Sequence, residues 1–342
     1  MAAKFIPRQV FPHYETIPRS YFLGHHREGL QNMKKMLSSI DYVVECRDFR
    51  APVTSINPMF EEALGEKARM IIYTKRDLGG GNKLKDQNAE KLIRQLDRRS
   101  SVFFTSSFSK KDTGPIFKHL RDNARSPDRL VGCRIMVVGM PNVGKSTLIN
   151  NLRNQGVNKA KAARTGDQPG VTRRIGAPIK IWERPDGSDV YVLDTPGVFV
   201  PYMPDAERML KLALCGCVKD SVVPPTTIAD YLLYHINLQD PLVYKRWSEP
   251  TNEIMPLLEN FARNTGLLAK GGIPNIDLAA LRFVQRWRAG ELGKFILDDV
   301  KEELRQRQQE DIEKKTPSPS MTQALKAARR ERKQRAAESR KA

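Results

Sequence analysis

Short apolar runs alternate with helical repeats between Glu28 and Pro204, and helical repeats alone follow. Tyr42-Val43-Val44-Glu45-Cys46, Met70-Ile71-Ile72-Tyr73, Val102-Phe103-Phe104, Ile135-Met136-Val137-Val138 and Val190-Tyr191-Val192-Leu193 have the continuous hydrophobicity of strands buried on both faces. Ile179 to Trp182 is the expected antiparallel partner of the last of these. Between the strands, Leu30, Met33 and Leu37, then Ala89, Leu92, Ile93 and Leu96, recur at helical spacing. A further helix is expected after the glycine-rich turn at Gly139, running through Leu152. The alternation predicts an α/β fold with a doubly wound, mostly parallel sheet. Thr165 to Ile175 carries glycine, proline and charge without a period and predicts a mobile loop. Beyond Pro204 helices are expected over Ala206–Cys217, Thr226–His235, Glu253–Thr265 and Asp277–Arg288, with Ile254, Leu257, Leu258 and Phe261 forming one apolar stripe.

This divides the chain into an irregular arm (1–22), an α/β domain (23–204), a small all-helical domain (205–313) and a basic disordered tail (314–342). Pro7, Pro12 and Pro18 break any helix in the arm. Lys4, Arg8 and Arg19 suit a mitochondrial presequence; the prolines and Glu15 do not. The tail holds ten Lys/Arg against Glu331 and Glu338, a net +8. The whole chain of 342 residues carries +19, which points to a polyanionic partner, nucleic acid or an anionic membrane surface. An apolar content of 40% excludes a wholly disordered chain, and no apolar run is long enough for a spanning helix. Cys46, Cys133, Cys215 and Cys217 are too scattered for a disulfide framework and suit a reducing compartment. Cys215 and Cys217 have no partner pair at zinc spacing.

Gly139-Met-Pro-Asn142-Val143-Gly144-Lys145-Ser146-Thr147 fits G-x-x-x-x-G-K-[ST] between an expected strand and an expected helix. Backbone N–H groups of such a loop surround phosphate, the lysine neutralises the β and γ oxygens, and the serine ligates Mg²⁺. Asp194-Thr-Pro-Gly197 follows a second strand; the aspartate suits Mg²⁺ and the Gly197 amide suits the γ-phosphate. Thr172 in the intervening loop is the candidate second hydroxyl ligand, with Thr165 as a competitor. Thr74-Lys75-Arg76-Asp77 closes the Met70 strand. A carboxylate at Asp77 accepts two N–H bonds from a guanine edge, a pattern adenine lacks, and paired bonds of this kind discriminate strongly. Lys75 is expected along the base plane. Ser106 and Ser107, after the next strand, are candidates to present backbone N–H to the guanine carbonyl.

In an ordinary small GTPase the phosphate loop precedes the base-reading segments; here it follows them. Together with Phe22-Leu-Gly-His25, Asp48-Phe-Arg-Ala-Pro52, Asn57-Pro58, Thr165-Gly-Asp-Gln-Pro-Gly-Val-Thr172 and Leu268-Ala-Lys-Gly-Gly272, this order makes the chain resemble the circularly permuted ribosome-biogenesis GTPases of the YlqF type, in particular their mitochondrial branch. The resemblance implies a permuted P-loop GTPase domain, GTP and GDP as ligands, Mg²⁺, and the large subunit of the mitochondrial ribosome as partner, through rRNA and ribosomal proteins. It implies a place in the mitochondrial matrix, with peripheral contact at the inner membrane as a further expectation. Two rival functions remain at this stage: a GTP-dependent switch in membrane or protein transport, and a cytoplasmic bacterial-type assembly factor. Leu325 is the only large apolar residue between Gln323 and Ala342, which favours RNA over lipid for the tail.

Two positions depart from the family pattern. Thr74 stands where the family has asparagine, so no amide is presented to the base or the phosphate loop, and guanine preference is expected to rest on Asp77. Gly24-His25-His26 replaces Gly-His-Met. Val198 occupies the place of the usual water-orienting glutamine, so the resemblance implies that a histidine, by position His25, or a potassium ion supported by Asn142 helps hydrolysis instead.

Overall fold

The computed structural model describes residues 5–12, 17–20, 24–65, 67–80, 83–98, 100–106, 110–124, 132–159, 161–163, 175–183, 189–199, 203 and 205–315. Six strands form one sheet: β1 Tyr42–Asp48, β2 Arg69–Thr74, β3 Ser101–Phe104, β4 Cys133–Gly139, β5 Ile179–Glu183 and β6 Asp189–Asp194, in the order β3-β2-β1-β4-β6-β5. Every neighbouring pair is parallel except β5 with β6. Strand order reverses between β1 and β4, and in a doubly wound sheet the crevice at the carboxyl ends beside such a switch point is where ligands bind. Asp48 and Gly139 end those two strands.

Helix α1 Gly24–Met36 precedes β1, and α2 Pro58–Leu64, α3 Lys83–Leu96, α4 Lys110–Asn123 and α5 Lys145–Val157 connect successive strands. Alternate strand residues face opposite ways, as the pleat requires. Val43, Met136, Val138 and Leu193 pack with Leu30 and Met33 of α1 and Phe60 and Leu64 of α2. Val44, Cys46, Ile135, Val137 and Val192 pack with Ile116 and Leu120 of α4 and Leu148, Ile149 and Leu152 of α5. This second core runs on without a break into α6 Ala206–Leu214, α7 Pro225–Gln239, α8 Ile254–Thr265 and α9 Ile276–Arg288. Contacts divide the described chain at Val300; α10 Val300–Lys315 accounts for the described residues beyond it.

The expected strands and the doubly wound sheet are present, β5 included. Helix bounds shift by one to four residues: the helix expected over Thr226–His235 runs over Pro225–Gln239, and those expected from Glu253 and Asp277 begin at Ile254 and Ile276. The helix expected to reach Cys217 ends at Leu214, where Gly216 adopts φ 79° and turns the chain. Helix α10 carries charge all round, with Arg307 Nε 2.7 Å from Glu303 Oε1 one turn away, and no apolar stripe announces it. The arm, free of helix where described, is tied to α7: Arg8 pairs with Asp230 at 2.6 Å, the Tyr234 hydroxyl donates to the Gln9 carbonyl, and Phe11 meets the Tyr231 ring at 5.0 Å. The 165–175 loop lies outside the described residues up to Arg174, and so does the tail beyond Lys315. Among the described residues no helix is long and apolar enough to cross a membrane.

Candidate functional site

The phosphate end is one continuous strand-turn-helix. Strand β4 ends at Gly139, whose φ of 150° and close approach to the Cys46 carbonyl, 2.4 Å from where a Cβ would sit, exclude a side chain. The loop wraps over Met140–Val143 and enters α5 at Lys145. Lys145 is buried; its Nζ donates to the carbonyls of Met140 at 2.8 Å and Gly139 at 3.2 Å, inside the loop it is expected to serve. Burial lowers the Lys145 pKa, and the Asp194 carboxylate opposes that shift.

Asp194 ends β6, in register with Val137 of β4, and accepts a hydrogen bond from Ser146 Oγ at 2.8 Å on Oδ2. A hydroxyl and a carboxylate at this spacing are the oxygen donors a hard divalent cation takes, so the residues present fit Mg²⁺. Bound there, Mg²⁺ neutralises phosphate charge during transfer. Gly197 touches Pro141 so closely that a Cβ would meet its Cα at 2.4 Å, which brings the Asp194–Gly197 loop against the phosphate loop. Thr172 lies outside the described residues.

Val198 is buried in the sheet core beside α1, and its carbonyl accepts from Asn57 Nδ2 at 2.8 Å. Helix α1 packs against this loop through Gly29, where a Cβ would meet the Pro196 Cβ at 3.6 Å. Position 25 lies one turn ahead of Gly29 on the same helix.

The base end is assembled from separate strand ends. Asp48 of β1 is in register with Thr74 of β2, and Tyr73 with Phe104 of β3. The Arg76 N–H donates to the Thr105 carbonyl at 3.2 Å, joining the two base-side loops. Lys75 sits at φ 56° in the left-handed region, and its Nζ reaches Asp48 Oδ2 at 3.0 Å and the Asn142 carbonyl at 2.6 Å. Asp77 Oδ1 is buried and has no hydrogen-bond partner among the described residues. The Ser106 N–H and hydroxyl both donate to Asp112 Oδ2, at 3.1 and 2.8 Å, so its amide is committed within the protein. Ser107 lies outside the described residues.

Thr74 braces the phosphate loop. Its hydroxyl donates to the Val143 carbonyl, and a Cβ on Gly144 would sit 3.4 Å from its Oγ1. Position 74 presents no amide to the phosphate loop, as expected from its threonine, and its hydroxyl is the side-chain donor to the Val143 carbonyl instead. Asn142 makes a contact that its motif position does not announce, its Nδ2 donating to the Gly216 carbonyl at 3.2 Å. Asp48 and Arg50 belong to the Asp48–Pro52 motif, whose sequence assigns neither a role. The signal for Asp48 was its place at the carboxyl end of the strand next to β4.

Taken together, the doubly wound sheet, the phosphate loop and the strands β1 to β3 that precede it in the chain define a circularly permuted P-loop GTPase. Residues 134–259 match the family described as 50S ribosome-binding GTPase. A mitochondrial GTPase 1 of Schizosaccharomyces pombe is 37% identical over 316 residues, covering 86% of this chain and 94% of its own. A mitochondrial ribosome-associated GTPase 1 of Mus musculus is 36% identical over 312 residues, with coverage of 85% and 93%. The chain belongs to this family of mitochondrial GTPases; it hydrolyses GTP and is mitochondrial. Among solved structures, the fold is similar to GNP-bound YlqF from T. maritima, with a TM-score of 0.54 at 24% identity over 79% of this chain and 97% of that one.

Proposed function

We propose that this GTPase is an assembly factor for the large subunit of the mitochondrial ribosome. The observation that carries the reading is the bond from Asn142 in the phosphate loop to Gly216 in the turn after α6, which ties the nucleotide site to the helical region (205–313). The relatives named for ribosome association support the partner, and the basic segment 314–342 supports an RNA contact.

In this reading the backbone from Asn142 to Thr147 holds the phosphates with Lys145. Ser146, Asp194 and Thr172 hold Mg²⁺, and the Gly197 amide meets the γ-phosphate. Asp77 selects guanine, Lys75 covers the base plane, and the 106–107 loop closes the base side. His25, one turn ahead of Gly29 on α1, acts on the attacking water. Asn142 is the residue for potassium: its Nδ2 serves Gly216, and its Oδ1 has the ligand chemistry of a monovalent cation. Nucleotide exchange at this loop moves the helical region that grips rRNA, and hydrolysis releases the factor.

Sedimentation of the purified protein with mitochondrial large subunits tests this. A non-hydrolysable GTP analogue should carry the protein into the subunit fraction and GDP should leave it behind. Equal distribution with the two nucleotides, or no association with either, contradicts the reading.

A further inference from the structure

We infer that Asp48, anchored by Arg50 to the turn after α6, is a positioning residue of the nucleotide site that acts on it through Lys75. This rests on the nucleotide site proposed above.

Asp48 is fully buried at the carboxyl end of β1, beside the strand that opens the phosphate loop. Its Oδ1 accepts from the Arg50 backbone N–H and from Arg50 Nε, each at 3.0 Å. Its Oδ2 accepts from Arg50 Nη2 at 2.8 Å and from Lys75 Nζ at 3.0 Å. Arg50 alone supplies the two-pronged pairing that satisfies a buried carboxylate. Lys75 is therefore not required as counter-charge, and its bond fixes where the lysine lies. Burial by itself would raise the Asp48 pKa; Arg50 and Lys75 overcome it and hold the carboxyl well below the usual range, so the anion persists at neutral pH.

The consequences reach in two directions. Lys75, on a left-handed backbone, bridges Asp48 to the Asn142 carbonyl at 2.6 Å, so the base loop and the phosphate loop share one ammonium group. Arg50 Nη2 continues to the Cys215 carbonyl at 3.0 Å. The next carbonyl, Gly216, takes the Asn142 carboxamide. Two adjacent peptide units of one turn are thus held by a base-side relay and by the phosphate loop. Arg288 fixes the same turn from α9, donating to Ala213 at 2.7 Å and Leu214 at 2.9 Å.

A double-mutant cycle on GDP affinity tests the role, with Asp48→Asn, Lys75→Met and the pair. Each single change should weaken GDP about tenfold, and the pair should be no weaker than Lys75→Met alone, because one mutation acts through the other. The preference for GDP over xanthosine diphosphate should stay unchanged in Asp48→Asn, since Asp77 is untouched; a general loosening of the site would alter it. Effects that multiply to about a hundredfold in the pair would overturn the inference. If Asp48→Asn does not fold, Arg50→Lys takes its place: its weakening of GDP should vanish in the Lys75→Met background, and persistence there would overturn the inference. Lys145→Ala in the same assay separates the two levels. Wild-type GDP affinity in that variant removes the site itself, whereas lost affinity together with a multiplicative cycle removes only the role of Asp48.

Discussion

At the phosphate end of the site, one uninterrupted stretch from Gly139 to Ser146 supplies the loop, its lysine and its metal hydroxyl, and a strand-turn-helix shapes it. At the base end, Asp48, Thr74, Lys75, Asp77 and Thr105 arrive from three strand ends and meet only because β1, β2 and β3 are parallel neighbours. The phosphate end is local and the base end is a product of the fold. The difference explains how a permuted order works. Parallel strands deliver all their carboxyl ends to one edge, whatever order they have in the chain, so segments before the phosphate loop can read the base beside it. The two ends are then stitched together by Thr74 to Val143 and by Lys75 to Asn142, bonds that join residues far apart in sequence.

The largest effect should come from the local end. Lys145→Ala removes a buried cation aimed into the phosphate loop and should cost about 2–5 kcal/mol of GTP binding, roughly 30-fold to several-thousand-fold. Ser146→Ala should abolish the Mg²⁺ dependence of GTP affinity. Nucleotide titration with and without Mg²⁺ reads both, and wild-type behaviour in either variant removes this site. Next is the stitch. Thr74→Val keeps the shape but leaves the Val143 carbonyl without its hydroxyl partner, so GTP affinity should fall by about 1–3 kcal/mol, measured by calorimetry. An unchanged value would mean the phosphate loop holds its form without help from the base end. Asn142→Ala loses a neutral hydrogen bond and should cost about 0.5–1.5 kcal/mol in the same assay. A loss as large as that of Lys145→Ala would show that the turn after α6 is part of the phosphate end. The smallest effect on the site belongs to the tail. Removal of residues 316–342 should leave GTP affinity as it is while flattening the salt dependence of association with the large subunit. The same salt slope in the truncated protein would take the tail out of the RNA contact.

What the sequence disclosed follows the same division. The phosphate loop is legible because its chemistry is contiguous and its strand and helix flank it directly. Asp194 is legible because D-x-x-G follows a strand at the right remove. The bracing hydroxyl of Thr74 was not, because nothing in a linear reading says how near its Oγ1 comes to Val143. The role of Asp48 was hidden for the same reason: its partners Arg50, Lys75 and, beyond them, Cys215 are brought together only by packing. Ser106 looked available because its amide ends a strand, but Asp112, in a helix that Gly114 and Pro115 disguise, takes that amide. The continuity of the sheet core with α6–α9 was also invisible, since each helix shows its apolar stripe without showing what it covers.

The claim at the centre of the account is that guanine is read by a segment lying ahead of the phosphate loop, with Asp77 Oδ1, buried and without a partner among the described residues, as its acceptor. Competition between GTP and xanthosine triphosphate, in the wild-type protein and in Asp77→Asn, tests it most directly. The amide donates where xanthine presents an oxygen, so the variant should lose GTP affinity and gain xanthosine triphosphate, reversing the preference by about tenfold or more. The same ratio of affinities in both proteins would contradict the account and place the base elsewhere.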